Sequence, residues 1–338
     1  MRPWRYIGIM ALTPQLRIGT RGSPLALAQA EMVRDRLGQS HPHLAGAGAM
    51  EIAVIKTSGD QFLDRPLADI GGKGLFTKEI EEALSDGHIH MAVHSMKDVP
   101  TFLPDGLVIT CILPREDPRD AFISNLAASI EDLPQGAVVG TASLRRQAQI
   151  LHLRPDLKVK ILRGNVQTRL RKLEEGAATA TLLALAGLRR LGLESCVTTV
   201  FGTDLMLPAV AQGAIGIECR EDDTAIRDML APLNHFQSEV CVTAERALLA
   251  ALGGSCRTPI AALAEYEGAE GLRLRGLVAR PDGSRLHRTE HRLSHCGGIA
   301  EARKLGAWAG EELRREAGPG FLDSGFSGNS FDDSSGKA

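Results

Sequence analysis

Residues 16–37 read LRIGTRGSPLALAQAEMVRDRL. Leu16 to Thr20 is a short strand candidate, and Arg21 with Gly22 turns the chain. Ser23-Pro24 then supplies an N-cap followed by proline at the first helical position, where a missing N–H costs nothing. Leu25, Ala28, Met32, Val33 and Leu37 recur at helical spacing. Strand, tight turn, helix is the opening unit of an α/β domain.

The unit repeats along the chain. Glu51 to Lys56 is the next strand, and Thr77 caps a helix whose first turn carries Glu79, Glu81 and Glu82 before Gly87 stops it. His90 to Ser95 reads as a buried strand with Lys97 and Asp98 at its carboxyl end, the edge at which open α/β sheets bind ligands. Ala137 to Gly140 starts the pattern again, with Thr141 and Ser143 as candidate caps of a helix opening Leu144-Arg145-Arg146. Leu157 to Leu162 leads through Arg163-Gly164-Asn165 into a helix over Val166 to Leu173, and Ala180 to Leu185 leads into Ala186-Gly187-Leu188-Arg189-Arg190. Two α/β lobes are expected, over 16–114 and 115–213, with Ala214 to Cys219 returning the chain so that 214–232 rejoins the first. After Pro232 come a helix (Glu239 to Leu252), strands around Pro281-Asp282-Gly283 and a helix from Gly298 to Arg315, a smaller α+β domain over 236–318. Residues 1–15 read as an N-terminal extension, and 319–338, rich in Gly, Ser and Asp, as a disordered tail.

Length and composition agree, since 338 residues suit two or three domains of about 100–150 residues each. No stretch of about 20 apolar residues could span a bilayer. The first thirty residues carry Arg2, Arg5, Arg17 and Arg21 with no acid before Glu31, but the apolar run Tyr6 to Leu12 is too short for a signal. Six scattered cysteines without CxxC spacing favour a reducing cytoplasm. A net charge of −2 and only 4% aromatic residues disfavour a nucleic-acid binder. Nine of the 39 basic residues are lysine and the rest arginine, whose planar fork matches carboxylate and phosphate. GC-rich codon usage would give the same skew, so position must separate the two explanations.

Arg145 and Arg146 sit in a first helical turn, where the macrodipole disfavours a cation by about 0.3–1 kcal/mol each. An anion would offset that. Arg21 lies just before a cap, Arg163 in a turn before a helix, Arg169 inside that helix, and Arg190 at the end of another strand-to-helix turn. Singly each reads as a solvated face; together they describe a site for a ligand with several carboxylates or phosphates. Asp98 is either a turn cap or, with walls closed over it, a carboxylate that accepts from an N–H turning cationic. Cys256, in Gly253-Gly254-Ser255-Cys256-Arg257-Thr258-Pro259, has the loop context of a nucleophile or attachment point. Cys111, Cys196, Cys219, Cys241 and Cys296 read as small buried hydrophobes. His88, His90 and His94 form HxHxxxH without a fourth ligand, so no metal is expected. Gly71-Gly72-Lys73-Gly74 lacks phosphate-loop spacing, and neither GxSxG nor GxGxxG occurs.

Nine stretches in order, TRGSPLALAQA, GGKGLFTKEIE, AVHSMKDVP, REDPRDAF, VGTASLRRQAQ, RGNVQTRL, LALAGLRRLG, LPAVAQGAIGIECR and TAERALLAALGGSCRTPI, resemble the porphobilinogen deaminase family from about Arg17 to Ile260. The departures are Ala211, where a glycine is usual, and Thr179, where an aspartate often stands. The resemblance implies two lobes like those of type II periplasmic binding proteins plus a third domain, with the cleft between the lobes. It implies a dipyrromethane cofactor joined as a thioether to Cys256, porphobilinogen as substrate, and Asp98 as the central catalytic group. It implies that Arg21, Lys97, Arg145, Arg146, Arg163, Arg169 and Arg190 pair with acetate and propionate groups, while Ser23, Thr141, Ser143 and Gln212 add hydrogen bonds. A cytoplasmic monomer without membrane or nucleic-acid partners is expected. The alternative is a non-enzymatic two-lobe binding protein for an anionic small molecule, which leaves Cys256 and the third domain unexplained.

Overall fold

A computed structural model describes residues 16–61, 74–254 and 258–321. The expectations placed on 1–15, Gly71, Gly72, Lys73, Cys256 and 322–338 lie outside these residues. The first unit is β1 (Leu16–Arg21) and α1 (Pro24–Ser40), capped as its sequence requires, with the Ser23 hydroxyl accepting from the Ala26 N–H. Ala30, Val33 and Leu37 of α1 are buried, together with Gln29, a polar residue on the same face. There follow β2 (Met50–Ile55), α2 (Ser58–Gln61), α3 (Lys78–Ser85), β3 (Met91–Ser95) and β4 (Leu107–Ile112).

The chain then crosses to a second lobe built from β5 (Asp120–Ser124), β6 (Val138–Gly140), α4 (Leu144–Leu153), β7 (Lys158–Lys160), α5 (Val166–Glu174), β8 (Ala180–Ala184), α6 (Leu185–Arg190) and β9 (Thr199–Val200). It returns as β10 (Ile215–Arg220), followed by α7 (Thr224–Leu230). The first sheet has the order β2-β1-β3-β10-β4 and the second β7-β6-β8-β5-β9. Each has three parallel strands and then a strand from the opposite direction: β10 is antiparallel to β3 and β4, and β5 to β8 and β9. The central parallel strands are covered on both faces, with Met91 to His94 and Ala180 to Leu183 all buried, whereas the edge strand β7 exposes Lys158 and Lys160.

The third domain is α8 (Phe236–Ala251), an antiparallel sheet of β11 (Ile260–Glu267), β12 (Gly271–Ala279) and β13 (Leu286–Leu293), and α9 (Ile299–Ala317) packed on α8. α8 begins three residues before the expected Glu239, because the His235 ring accepts from the Ser238 N–H and serves as the cap. The core of this domain does not stop at its border. Met96, Val99 and Ile112 from the first lobe share one apolar cluster with Val240, Leu248, Leu272 and Leu313. Met96 also lies on Gly216, where an added Cβ would come within 2.0 Å of its Sδ.

The two crossings between lobes run side by side. Leu113 N donates to Ile215 O at 3.0 Å and Glu116 N to Gly213 O at 3.2 Å. Gly213 has φ +89°, and a Cβ there would lie 2.3 Å from Glu116 O, so close approach of the two strands requires glycine. Ala211 has φ +57°, the one positive φ at a non-glycine among the described residues. Its N–H donates to Glu245 Oε2 at 2.6 Å, and Glu245, fully buried on α8, also receives both terminal nitrogens of Arg115 and the N–H of Ala264.

Candidate active site

Both lobes present the carboxyl ends of their parallel strands to one cleft. β3 runs into a single 3₁₀ turn, Met96–Asp98, closed by Val99 N donating to Met96 O, which sets Lys97 and Asp98, both half-buried, at the strand end. Arg21 ends β1, its guanidinium 4.1 Å from the centre of the Phe76 ring. On the opposite wall, Ser143 caps α4 by accepting from Arg146 N, and Thr141 Oγ1 accepts from Ser143 N. Asn165 caps α5, which places Arg163 before and Arg169 within its first turns. Gln212 lies in the returning crossing. Arg190 is the exception to the sequence expectation. α6 is only six residues long, so Arg190 closes it at the C-terminal end, where a cation is favoured.

A cavity of about 70 Å³ between the lobes is lined by Gln29, Ser95 and Lys97 from the first and by Arg146, Arg169 and Arg190 from the second. The lobes meet beside it, where Leu25 of α1 faces Gly187 of α6. Arg21, Ser23, Asp98, Thr141, Ser143, Arg145, Arg163 and Gln212 do not line that cavity.

The cations fall into two kinds. Arg145 and Arg146 are buried and share Asp120, itself fully buried at the start of β5. Arg145 Nη1 donates to Asp120 Oδ2 at 2.7 Å, Arg146 Nη2 and Nε donate to Oδ1 at 2.7 and 3.2 Å, and Gln212 Nε2 donates to Oδ1 at 2.9 Å. Burial raises the Asp120 pKa, but the two guanidiniums outweigh it and hold the carboxyl well below the usual range. The anion that these helix-start arginines demand is therefore, in part, the protein's own.

Arg163, Arg169 and Arg190 have no carboxylate partner among the described residues. Burial pushes Arg169 and Arg190 down to about 10 and lowers Arg163 as well. Arg169 Nε and Arg163 Nη1 are buried without a hydrogen-bond partner, while Arg190 donates to Gly213 O at 2.6 Å. Lys97 is pushed down to about 8 by burial, against the pull of Asp98, with Arg146 adding repulsion.

Sequence reasoning missed Gln29, Ser95 and Asp120. Gln29 Oε1 accepts from Ser95 Oγ at 3.0 Å, which leaves Nε2 buried and unpartnered beside the cavity. A glutamine on the apolar stripe of α1 was its signal; Asp120 had none. The histidines do not converge, for His94 pairs with Glu218 at 2.8 Å while the His90 ring accepts from Arg17 N. Burial pushes the thiols of Cys111 and Cys241 up to about 12 and that of Cys219 to about 11, so these are inert apolar fillers, whereas Cys196 is only half-buried.

Two family models match the chain, the dipyromethane cofactor binding domain of porphobilinogen deaminase over residues 16–228 and its C-terminal domain over 239–315. The chloroplastic porphobilinogen deaminase of Pisum sativum is 58% identical over 313 residues, 92% of this chain and 84% of that one. Porphobilinogen deaminase of Nitrobacter hamburgensis is 57% identical over 305 residues, 90% of this chain and 94% of that one. Among solved structures the methionine-binding protein MetQ aligns at 15% identity and a TM-score of 0.42, over 65% of this chain and 89% of that one. With both family models matched in order and relatives this similar over nine-tenths of its length, the chain belongs to the porphobilinogen deaminase family.

Proposed function

We infer that the chain is a transferase that condenses four porphobilinogen molecules head to tail, releasing one ammonia at each step. Water then frees 1-hydroxymethylbilane. The observation that carries this reading is the set of desolvated cations without a salt-bridged carboxylate around the inter-lobe cavity, Lys97, Arg169 and Arg190, backed by the pre-paired Arg146. Buried cations cost free energy unless an anion joins them. A substrate with two carboxylates per ring supplies such anions repeatedly.

The same residues fit the family's dipyrromethane cofactor, since unpartnered N–H groups of Arg163, Arg169 and Gln29 suit a polycarboxylate. We assign its attachment to Cys256, which falls in sequence between α8 and β11. When bound, it supplies the nucleophilic pyrrole carbon from which the chain grows. Arg21, Arg145, Arg146, Arg163, Arg169, Arg190 and Lys97 would bind acetate and propionate groups, with Ser23, Thr141, Ser143 and Gln212 as hydrogen-bonding supports; the Asp120 clamp fixes Arg145 and Arg146 in advance. Asp98 is the catalytic residue in this reading. As ammonia leaves, the substrate ring gains positive charge at its nitrogen, and a carboxylate beside it stabilises that state more than the neutral one.

We also read the protein as a cytoplasmic monomer. Its scattered cysteines support the compartment, and among the described residues no helix is long and apolar enough to cross a membrane.

Intact-mass measurement of the purified protein tests the reading. A mass increase of two pyrrole units is expected in the wild type and in Cys219→Ser, and none in Cys256→Ser. An unmodified wild-type protein that binds an anion without turning it over would establish the non-enzymatic alternative. Asp98→Asn should fold and lose single-turnover product formation by about 10²–10³, the scale of one lost preorganised electrostatic contact. Normal chemistry in that variant would reduce Asp98 to a turn cap.

A further inference from the structure

We propose that Arg246, on α8 of the third domain, is a positioning residue that holds the Lys97–Asp98 turn of the first lobe in its reactive place. The inference rests on the reading of Asp98 as the catalytic group. Arg246 Nη1 donates to Val99 O at 3.0 Å and Nη2 to Pro100 O at 2.6 Å, so one guanidinium fork spans the two peptide carbonyls that follow Asp98. No salt-bridged carboxylate partners it among the described residues, and burial pushes it down to about 10 against the pull of Glu218. A desolvated cation whose hydrogen bonds go to main-chain carbonyls is a costly way to hold a loop. A shorter or apolar side chain would serve if packing alone could do it.

Packing holds only the start of the turn, because the segment that follows it borders a cavity rather than a filled interface. A cavity of about 360 Å³ lies between the first lobe and the third domain, bounded by Met96, Thr101, Phe102 and Leu103 on one side and by Val242 and Arg246 on the other. Phe102 is 72% exposed, so the segment after Pro100 is not anchored by its largest apolar residue. The turn is tied at its start by Met96 N donating to Ala214 O and by burial of Met96 and Val99 in the third domain's core. Arg246 closes the other end. A fork with two donors 120° apart reaches both carbonyls at once, which a lysine ammonium at the same stem length does not. Displacement of a catalytic group by about 1 Å costs roughly 10²-fold in rate, so a hold on the backbone next to Asp98 acts on chemistry without touching substrate.

The test compares cofactor-loaded wild type, Arg246→Met and Arg246→Lys, with loading checked by intact mass. Expected are amide exchange over 97–103 faster by at least about tenfold, single-turnover product formation slower by at least about tenfold, and KM within about threefold of wild type, with Arg246→Lys intermediate. Exchange over 107–112 should stay as in wild type, which separates a loosened turn from general destabilisation. Arg246→Lys carries the test if Arg246→Met does not fold. Asp98→Asn, assayed alongside, should slow chemistry and leave exchange over 97–103 unchanged, so failure of the catalytic reading shows there and not at Arg246. Unchanged exchange in the Arg246 variants, or loosened exchange with normal single-turnover chemistry, overturns the proposal.

Discussion

The start of α4 and the start of α5 look alike in sequence, each an arginine-bearing turn after a parallel strand, yet the structure treats their cations in opposite ways. On α4, Arg145 and Arg146 are clamped to Asp120 by three N–H donors at 2.7–3.2 Å. Around α5, Arg163 and Arg169 have buried, unpartnered nitrogens. A helix start that carries its own counter-ion has its charge met before any ligand arrives, although Arg145 Nε is itself left without a partner. A helix start without one keeps its electrostatic demand open, and that demand is what a ligand can meet. Both kinds serve a binding site, the first as a fixed wall and the second as the grip.

Asp120→Asn should separate the two most sharply. Removing the shared carboxylate leaves two buried guanidiniums uncompensated, and a loss of about 3–5 kcal/mol is expected in chemical denaturation. A loss below about 1 kcal/mol would mean that α4 is not held by its counter-ion. Arg169→Leu is the mirror experiment: it removes a desolvated cation, so the denaturation midpoint should hold or rise while kcat/KM falls by about 10–100-fold. Equal stability losses for Arg145→Leu and Arg169→Leu would erase the distinction.

Lys97 gives a pH signature. Its folded pKa of about 8 lies below the ordinary 10.5, so below about pH 8 the lysine is charged in both states. Between about 8 and 10.5 the unfolded chain binds more protons, and folding stability therefore rises with pH in that window. Cofactor-free wild type should gain stability there relative to Lys97→Met; a flat difference across the window would show that Lys97 is not desolvated. The smallest effects belong to the caps. Ser143 accepts from Arg146 N at 3.4 Å and Asn165 from Thr168 N at 2.9 Å. Ser143→Ala should cost about 0.5 kcal/mol and Asn165→Ala about 1 kcal/mol by thermal unfolding, because α4 leans on Asp120 and α5 on its cap.

Much of this was legible in the chain. The strand-turn-helix repeats mark the strand ends where the site residues gather, and Ser23 and Ser143 do cap the helices that follow, whereas Thr77 makes no side-chain cap bond and Asn165, read only as part of a turn, caps α5. The demand of Arg145 and Arg146 for an anion was legible too. Its source was not, for Asp120 lies 25 residues earlier on a strand that joins the sheet antiparallel, and long-range pairing leaves no periodic trace. Arg190 was misplaced because a helix of six residues is too short for its two ends to be told apart by pattern. The reach of the third domain's core to Met96 and Val99 was hidden for the same reason as Asp120: apolar spacing reports that a residue is buried, not which domain buries it.

Glu245 has a mechanical consequence. Its carboxylate is bound to the outgoing crossing through Arg115 and to the returning one through Ala211, so the two strands between the lobes are riveted at one point and cannot slide along each other without breaking those bonds. A rearrangement of the lobes that keeps those bonds must pivot near this point. The rivet is itself a residue of α8, and through the Ala264 N–H it also grips β11. Two elements of the third domain, α8 and β11, are thus fastened at the same carboxylate that joins the two crossings.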